Sequence, residues 1–556
     1  MSTSFKVNST SLKEPEEPES TANASASGRP VPMNGSDEEQ EQEEKEVEAH
    51  NAKDLEDEFE DPYAGKWCGG FGNHTKAKGY NILGTARGPI AMSNIFLSTA
   101  LIYLASEEVG CVEETEDGGM QVVENCEERV FGAFRPSALI TNIAVISGLM
   151  SACLMPLVGA IIDYTPRRWS IGVTSAILIT LIQIVQIGTV SSTWFPMAIL
   201  QAITGFFYQV QMCSTFAYMP EIKREVSTLT MTRFSSTWTM VQFGSQALFL
   251  LVIVGISMAF SFNDVITAQV SQGINSVNII IAFTVAWRMM PKVPARHTLE
   301  PGQWLLLQGF KQNWRTAKRI QKHYKRSIRW YLLGILFAEP GANAFTVVSV
   351  VFLSDKLGLS GTELGIFFLV VLVCMVPGGL VSQAITRCTN PSISFRFSMM
   401  FLFVLGIIGA LTLTKDNVKP IGYVWALFVG LGLGSFYPSE KLYLSMIVPK
   451  GIEAELSGFY VYCSQLLGWL PPLMFTLLVE ANVDQKYGLI CTVCFFLVAV
   501  AMISMSPSFD KVLEEVHQND FDLDVEDSDD TNNNPNNKRT VGTKNGSSSM
   551  DSNSVE

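Results

Sequence analysis

The chain has 556 residues, of which 47% are hydrophobic and 17% are charged, and its formal net charge is −14. The charge is unevenly placed, because residues 1–65 carry −13, residues 507–556 carry −8 and residues 66–506 carry +7. This distribution excludes an acidic soluble domain, and the lack of an extended basic face outside one loop argues against nucleic-acid binding.

Long apolar runs follow one another from about residue 86 to residue 506. An apolar helix of roughly 20 residues crosses the hydrocarbon core of a bilayer, and soluble proteins rarely hold many helices this long and apolar. The sequence therefore predicts an all-α polytopic membrane protein with twelve transmembrane helices. The predicted spans are 86–106, 138–162, 170–190, 194–218, 233–260, 264–288, 328–353, 362–386, 394–414, 420–446, 456–480 and 486–506.

A basic segment divides the twelve spans into two groups of six. The acidic composition of the two ends favours disorder. Aromatic and basic residues alternate in the central segment, which is typical of an amphipathic helix at a membrane surface. We therefore predict a disordered acidic tail (1–85), a six-helix bundle (86–288), a basic linker (289–327), a second six-helix bundle (328–506) and a disordered acidic tail (507–556).

Basic residues indicate the orientation of the chain in the membrane. The loops on the side of the linker carry 20 Lys and Arg residues and the opposite loops carry 6. Since basic loops remain on the cytoplasmic side, the linker and both termini are predicted to be cytoplasmic. The first opposite loop contains Cys111 and Cys126. These two can form a disulfide in an oxidising lumen or stay as thiols in an acidic degradative compartment, and both alternatives stay open here.

The loop between the second and third predicted spans carries a known type of motif. It reads Gly159, Asp163, Arg167, Arg168 in the pattern G-x-x-x-D-x-x-x-R-R. The glycine lets helices approach closely, the aspartate can pair with a basic residue, and the arginines can hold the ends of the helices together. The pattern and its position resemble the loop signature of the major facilitator superfamily, although a generic basic loop is the alternative. The resemblance implies a major facilitator fold with two pseudo-symmetric halves.

Two further segments and a glycine-rich helix carry a second resemblance. Their residues include Pro220, Glu221, Pro449, Glu455, Gly458, Gly430, Gly432 and Gly434. These segments resemble the autophagy-related vacuole effluxer family, a branch of the major facilitators. The resemblance covers about residues 86–506 and implies the export of amino acids from a vacuole or lysosome-like compartment. Departures from the family pattern occur at Glu339-Pro340-Gly341 and at Glu440-Lys441.

Glu339 is the clearest carboxyl near the middle of a predicted span. It lies eleven residues into the seventh span, or about 16 Å deep. An isolated carboxylate at that depth is protonated, paired or faces a wet cavity. Pro340 and Gly341 predict a break in the helix, and Asn343 lies on the same helical face. Proton coupling or ammonium binding is one interpretation of Glu339, and a structural carboxyl that caps the broken helix is the other.

Uncharged polar residues recur in the other spans. Amides and hydroxyls suit a neutral or zwitterionic solute, and we expect no Arg or Lys deep in a span. Hydrogen bonding between helices is the alternative for each single amide. The candidate substrate or proton-coupling residues, besides Glu339 and Asn343, are Asn94, Tyr208, Gln209, Trp238, Gln242, Gln246 and Gln465.

The motifs together favour a gradient-driven carrier over an enzyme. All five histidines lie outside the predicted spans and no phosphate-binding loop occurs, so we expect no cofactor, no metal and no primary pump. The expected partners are a small-molecule solute, in the first place amino acids, membrane lipid and protons, with no nucleic acid. The alternatives are a carrier for another small solute and a transport-inactive sensor or scaffold. The resemblance favours the vacuolar or lysosomal membrane, and the plasma membrane is the alternative.

Overall fold

A computed structural model describes residues 70–114, 120–122, 128–223, 225–226, 228–295, 304–449 and 453–516. The predictions for most of the two acidic tails and for Cys126 lie outside the described residues.

The described residues form twelve long helices, with span 11 in two pieces. They are span 1 (Thr75–Glu108), span 2 (Leu139–Tyr164), span 3 (Arg168–Gln186), span 4 (Trp194–Phe216), span 5 (Thr228–Phe260), span 6 (Asp264–Met289), span 7 (Ile328–Val351), span 8 (Gly361–Cys388), span 9 (Pro391–Thr412), span 10 (Val418–Ile447), span 11 (Glu453–Leu466 and Leu470–Glu480) and span 12 (Gln485–Ser504). The other elements are a hairpin of two antiparallel strands (Val112–Glu114 and Met120–Val122), a short helix (Met219–Lys223), and the linker helix (Leu305–His323). One turn of 3-10 helix (Pro136–Ala138) precedes span 2, and one π turn (Phe352–Lys356) follows span 7.

Eleven of these helices are long and apolar enough to cross a membrane. Span 4 is the exception although it has 23 residues and no charged side chain. Its polar residues lower its hydropathy. Three of them are glutamines, Gln201, Gln209 and Gln211.

Glycines let the helices of the second half pack closely. A Cβ on Gly434 of span 10 would lie 2.1 Å from the carbonyl oxygen of Met375 on span 8. A Cβ on Gly430, also on span 10, would lie 2.3 Å from the carbonyl oxygen of Val371 on span 8. Spans 8 and 10 therefore meet backbone to backbone, which explains why span 10 is rich in glycine.

The two halves are joined at the end that carries the strand hairpin, called here the hairpin side; the opposite end is the linker side. Glu480 of span 11 accepts a hydrogen bond from the backbone N–H of Arg135 at 2.8 Å and forms an ion pair with Arg129 at 3.0 Å. The hydroxyls of Thr141 on span 2 and Thr476 on span 11 lie 2.7 Å apart. These contacts close the hairpin side of the molecule.

Two more contacts across the halves lie on the hairpin side. Asp264 at the start of span 6 accepts from the backbone N–H of Gly361 at the start of span 8, at 2.8 Å. Ser257 of span 5 and Thr362 of span 8 share a hydrogen bond of 2.7 Å. Spans 2, 5 and 6 of the first half, with the segment before span 2, thus contribute to the closure.

The helices differ from the predictions at four places. Span 1 begins at Thr75, so residues 75–85 belong to a helix and not to the tail. Span 7 continues through Pro340, where a break was predicted. The break occurs instead in span 11, before Pro471 and Pro472. The second tail also begins later than predicted, since residues 509–516 are helical and Val512 is buried.

Span 12 packs closely against span 7 around Pro340. A Cβ on Gly334 would lie 2.4 Å from Ile503 of span 12, and a Cβ on Gly341 would lie 3.1 Å from Phe495 of span 12. Span 12 therefore contacts span 7 on both sides of the proline.

Candidate functional site

Four charged side chains from three helices lie close together between the two halves, and we call them the charged layer. They are Arg87 on span 1, Glu339 on span 7, and Glu440 and Lys441 on span 10. Arg87 lies 12 residues from the linker-side end of its helix and Glu339 lies 11 residues from it, or about 18 and 16 Å. Glu440 and Lys441 lie seven and six residues from the end of span 10, about 10 Å deep.

The two carboxyls of the layer face each other. The side chains of Glu339 and Glu440 are close enough to interact with each other across spans 7 and 10. Glu440 is completely buried, and its Oε1 accepts from the hydroxyl of Tyr460 on span 11 at 2.6 Å. The backbone oxygen of Glu440 accepts from the hydroxyl of Tyr331 on span 7 at 3.1 Å. Spans 7, 10 and 11 thus hold the carboxyl pair in place. The sequence singled out Glu339 but did not indicate that Glu440 is its neighbour.

The cations of the layer lie against aromatic rings of the first half. The guanidinium carbon of Arg87 is 5.2 Å from the centre of the Tyr208 ring and 5.5 Å from that of Trp238. Lys441 approaches the Trp238 ring from the second half, with its ammonium 5.4 Å from the ring centre. The side chain of Lys441 keeps solvent-accessible surface. Cations over aromatic faces are held by cation–π attraction.

The prediction that no Arg or Lys lies deep in a span is wrong. Arg87 is 4% exposed and sits in the middle of span 1, and Lys441 belongs to the helical part of span 10. Span 1 was predicted to begin at residue 86, which placed Arg87 at a helix end. A Glu–Lys pair inside a predicted span is by itself a signal of function, because ionisable residues are rare there. That signal was available for Glu440 and Lys441.

Of the predicted polar residues, the structure brings Tyr208, Trp238 and Glu339 to the charged layer. Asn94 lies seven residues beyond Arg87 toward the hairpin side, where its backbone oxygen accepts from Gln201 at 3.3 Å. The side-chain amide of Gln201 also donates to Ser98 at 2.9 Å. This network links spans 1 and 4. The amide of Gln201 thus forms hydrogen bonds between helices, which was the alternative to a role in solute binding.

The remaining candidates lie on spans 4, 5, 7 and 11. On span 5, Gln242 and Gln246 pack against span 1 next to Arg87, where a Cβ on Gly88 would lie 2.6 Å from the carbonyl oxygen of Gln242. The side-chain amide of Gln465 on span 11 donates to its neighbour Ser464 at 3.4 Å. Asn343 is exposed, one turn beyond Glu339. Gln246 is buried on span 5, while Gln209 and Gln242 are partly buried. Their role in binding stays a prediction.

The loop motif has a different role from the predicted one. A Cβ on Gly159 would meet nothing within 4 Å, so this glycine does not permit a close helix contact. The close contact is made instead by Gly309 of the linker helix, where a Cβ would lie 1.9 Å from the carbonyl oxygen of Pro156. Asp163 is partly buried and Arg167 is exposed. Of the two arginines, Arg168 is the buried one, and the gating role of the motif stays a prediction.

Arg168 joins the loop motif to the effluxer segment. Its side chain is 1% exposed, forms an ion pair with Glu221 and donates to the carbonyl oxygen of Ala217 at 3.1 Å. The guanidinium also lies 5.5 Å from the centre of the Tyr218 ring. Pro220 lies next to Glu221 in the short helix after span 4. Two motifs that are 50 residues apart in sequence thus form one buried contact within the first half.

The second effluxer segment contacts the linker helix. Glu455 at the start of span 11 accepts from the hydroxyl of Thr316 and forms an ion pair with Arg319 at 2.8 Å. Pro449 is buried just before this helix, and Gly458 is exposed with open space around it. The linker helix therefore contacts span 2 through Gly309 and span 11 through Glu455.

The linker-side end of span 1 is capped by a histidine. The Nδ1 atom of His74 accepts from the backbone N–H of Ala77 at 3.1 Å, and its Nε2 lies 2.9 Å from Glu225. Burial lowers the pKa of His74, although the neighbouring Glu225 carboxylate opposes this. The ring is therefore held neutral, with Nε2–H as the donor to Glu225.

On the hairpin side, Cys111 is disulfide-bonded. Its predicted partner Cys126 lies outside the described residues, so that pairing stays a prediction. Among the residues that the structure describes, no group of three or more His, Cys, Asp or Glu side chains is arranged to hold a metal ion.

Comparisons with known proteins agree with this architecture. A family model described as "Vacuole effluxer Atg22 like" matches residues 73–512. The uncharacterized MFS-type transporter YxiO of Bacillus subtilis (strain 168) is 21% identical over 247 residues, which cover 43% of this chain and 56% of that relative. The chain thus spans little more than half the length of this curated relative.

Two solved transporters share the fold. The inward-open xylose transporter XylE from E. coli has a TM-score of 0.54 at 13% identity, covering 79% of this chain and 98% of its own. The human organic anion transporter MFSD10 has a TM-score of 0.52 at 10% identity, covering 77% of this chain and 99% of its own. The prediction of a major facilitator fold is confirmed, and the chain has eleven helices that are long and apolar enough to cross a membrane.

Proposed function

We propose, from the premise that this chain belongs to the vacuole effluxer Atg22-like family, that it exports amino acids from a vacuole or lysosome-like compartment by proton-linked alternating access. The observation that carries the proposal is the charged layer, in which a carboxyl pair of the second half lies near two cations. Carriers of this fold bind their solutes near the midplane between the halves. Ionisable groups at that depth are rare and mark the pathways of solutes and protons.

The charges of the layer suit a zwitterion. Glu339 and Glu440 offer oxygen acceptors to an ammonium group, whereas Arg87 and Lys441 offer donors to a carboxylate. With both carboxyls ionised the four formal charges sum to zero. An α-amino acid without a charged side chain adds no net charge to a site buried in a low dielectric.

The carboxyl pair can also bind a proton. Two adjacent carboxylates repel each other, and a proton held by one of them relieves the repulsion. One carboxyl of the Glu339–Glu440 pair can then hold the proton while the other accepts the ammonium group. Solute and proton would cross together, so an acidic lumen would drive the amino acid out of the compartment.

The closed hairpin side fits export to the cytoplasm. The basic residues place the linker side in the cytoplasm by the positive-inside rule. In that orientation the contacts of Glu480, Asp264 and Thr141 close the lumenal side. We therefore propose that the structure represents a state in which the lumenal side is closed and the solute is released toward the cytoplasm.

The test uses the purified full chain in lipid vesicles loaded with each of the twenty protein amino acids. We expect efflux of a subset of uncharged amino acids, faster at lower internal pH. A tagged copy should label the vacuolar or lysosomal membrane. Efflux of other small solutes alone would replace the substrate class, and no flux of any solute would favour a sensor or scaffold.

A further inference from the structure

Arg87 is a buried cation with too few partners. Its side chain is 4% exposed, and rings of Tyr208, Trp238 and Phe216 surround the guanidinium carbon at 5.2, 5.5 and 6.0 Å. Only Nη2 has a hydrogen-bond partner, the hydroxyl of Tyr208 at 3.4 Å. Within the described part of the chain, Nε and Nη1 are buried without any partner. Buried charged donors are normally satisfied, so this arrangement lacks an acceptor.

The groups around Arg87 are donors too. The indole Nε1 of Trp238 and the hydroxyl of Tyr80 are buried and have no partner among the described residues. The ring of Tyr80 lies edge-on to that of Trp238, with the centres 5.6 Å apart, and Tyr80 interacts electrostatically with Arg87. The cation Lys441 lies over the same indole. This corner of the charged layer therefore combines unpaired donors with two positive charges, and it suits an anionic group with several acceptor lone pairs.

The planar fork of a guanidinium matches a carboxylate, since two N–H groups can donate in parallel to its two oxygens. A more highly charged anion such as phosphate fits less well, because the layer as a whole also holds Glu339 and Glu440. A zwitterion satisfies both ends without adding net charge. We propose that Arg87 binds the carboxylate of the amino acid whose ammonium group is bound by Glu339 and Glu440, an inference that rests on the proposed function.

This assignment places one end of the solute on each half of the protein. Arg87 belongs to span 1 with the rings of Tyr208 and Trp238 on spans 4 and 5, whereas both carboxyls belong to spans 7 and 10. A bound zwitterion thus bridges the halves through two charge-assisted contacts. Such a bridge favours the state in which the halves are close together at the charged layer, because only there are both contacts made.

The test compares free amino acids with their α-carboxamides, which keep the ammonium group and lack the carboxylate. Binding of all twenty pairs to the purified full chain is measured by competition in detergent. We expect the wild type to bind its preferred free amino acid at least about tenfold more tightly than the carboxamide, as for loss of a charge-assisted bidentate contact. Arg87→Gln should lose that preference and bind the carboxamide as the wild type does.

Two further variants make the outcome decisive. Arg87→Lys keeps the charge without the fork, so an intermediate preference is expected, and it also serves if Arg87→Gln fails to fold. Arg167→Gln removes an exposed arginine and should behave as the wild type. Discrimination as strong as in the wild type in Arg87→Gln, or in Arg87→Lys where Arg87→Gln does not fold, would overturn the role of Arg87 while leaving amino-acid transport intact. Binding of no amino acid by the wild type would remove both proposals, and displacement by inorganic phosphate as strong as by the free amino acid would replace the zwitterion with a free anion.

Discussion

Replacing Glu480 by Gln should open the hairpin side of the transporter. Glu480 of span 11 forms an ion pair with Arg129 at 3.0 Å and accepts from the backbone N–H of Arg135 at 2.8 Å, both in the first half. Arg129 is 46% exposed, so the ion pair contributes about 0.2–1 kcal/mol. The hydrogen bond survives to a neutral acceptor but loses about 1 kcal/mol of charge assistance. The closed state should therefore lose about 1–2 kcal/mol, which raises the open population about 5- to 30-fold.

A cysteine at Thr476 reports this opening. Thr476 is 7% exposed in the closed contact with Thr141, so Thr476→Cys should react with a membrane-impermeant maleimide only when the hairpin side opens. Glu480→Gln should raise the labelling rate about 5- to 30-fold in that background. Lys419→Gln is the matched control, because it removes an ion pair with Glu363 within the second half, also on the hairpin side. Equal labelling rates in the two variants would refute the assignment of Glu480 to the closure.

Three other substitutions test separate parts of the structure. Glu221→Gln leaves a buried arginine without its carboxylate and should destabilise the protein by about 3 kcal/mol, whereas Arg167→Ala in the same loop should be neutral; thermal unfolding of both decides. Gly309→Ala should lower the melting temperature by forcing the linker helix away from span 2, while Gly159→Ala should leave it unchanged or raise it, since its site is open; the reverse order would contradict the packing. Because burial lowers the pKa of His74 from 6.5, its contribution to stability is complete above pH 6.5 and is lost as pH falls through the folded-state pKa. His74→Asn keeps a capping acceptor and should show a smaller loss of thermal stability between pH 7.5 and 5.5 than the wild type; an equal loss would refute the role of His74.

The sequence predicts most of the membrane helices because those helices are exposed to lipid and must be apolar. Span 1 shows where this criterion fails. Its apolar window is 83% buried inside the protein, and its first turns contain Lys76 and Lys78. A helix covered by its neighbours does not need an apolar surface, so the hydropathy of residues 75–85 is low and the helix was predicted to begin eleven residues late. Arg87 was missed for this reason.

The periodicity of apolar residues does not predict contacts between segments that are far apart in the sequence. Glu339 was identified from its depth in span 7, but its partner Glu440 lies 101 residues away on another helix. Arg168 and Glu221 each belong to a recognisable motif, and only the fold shows that they are one ion pair. Gly159 fits its motif and yet has open space around it. The motifs thus did not predict what each of their residues contacts.

Proton movement during amino-acid efflux tests the role of the charged layer most directly. Vesicles containing the purified chain are loaded with a transported amino acid and an internal pH dye, then diluted into medium without amino acid. Efflux should carry protons outward and make the interior alkaline, and Glu339→Gln should abolish this pH change and the pH dependence of efflux. Efflux by the wild type without proton movement, or an unchanged pH response in Glu339→Gln, would contradict proton coupling at the carboxyl pair.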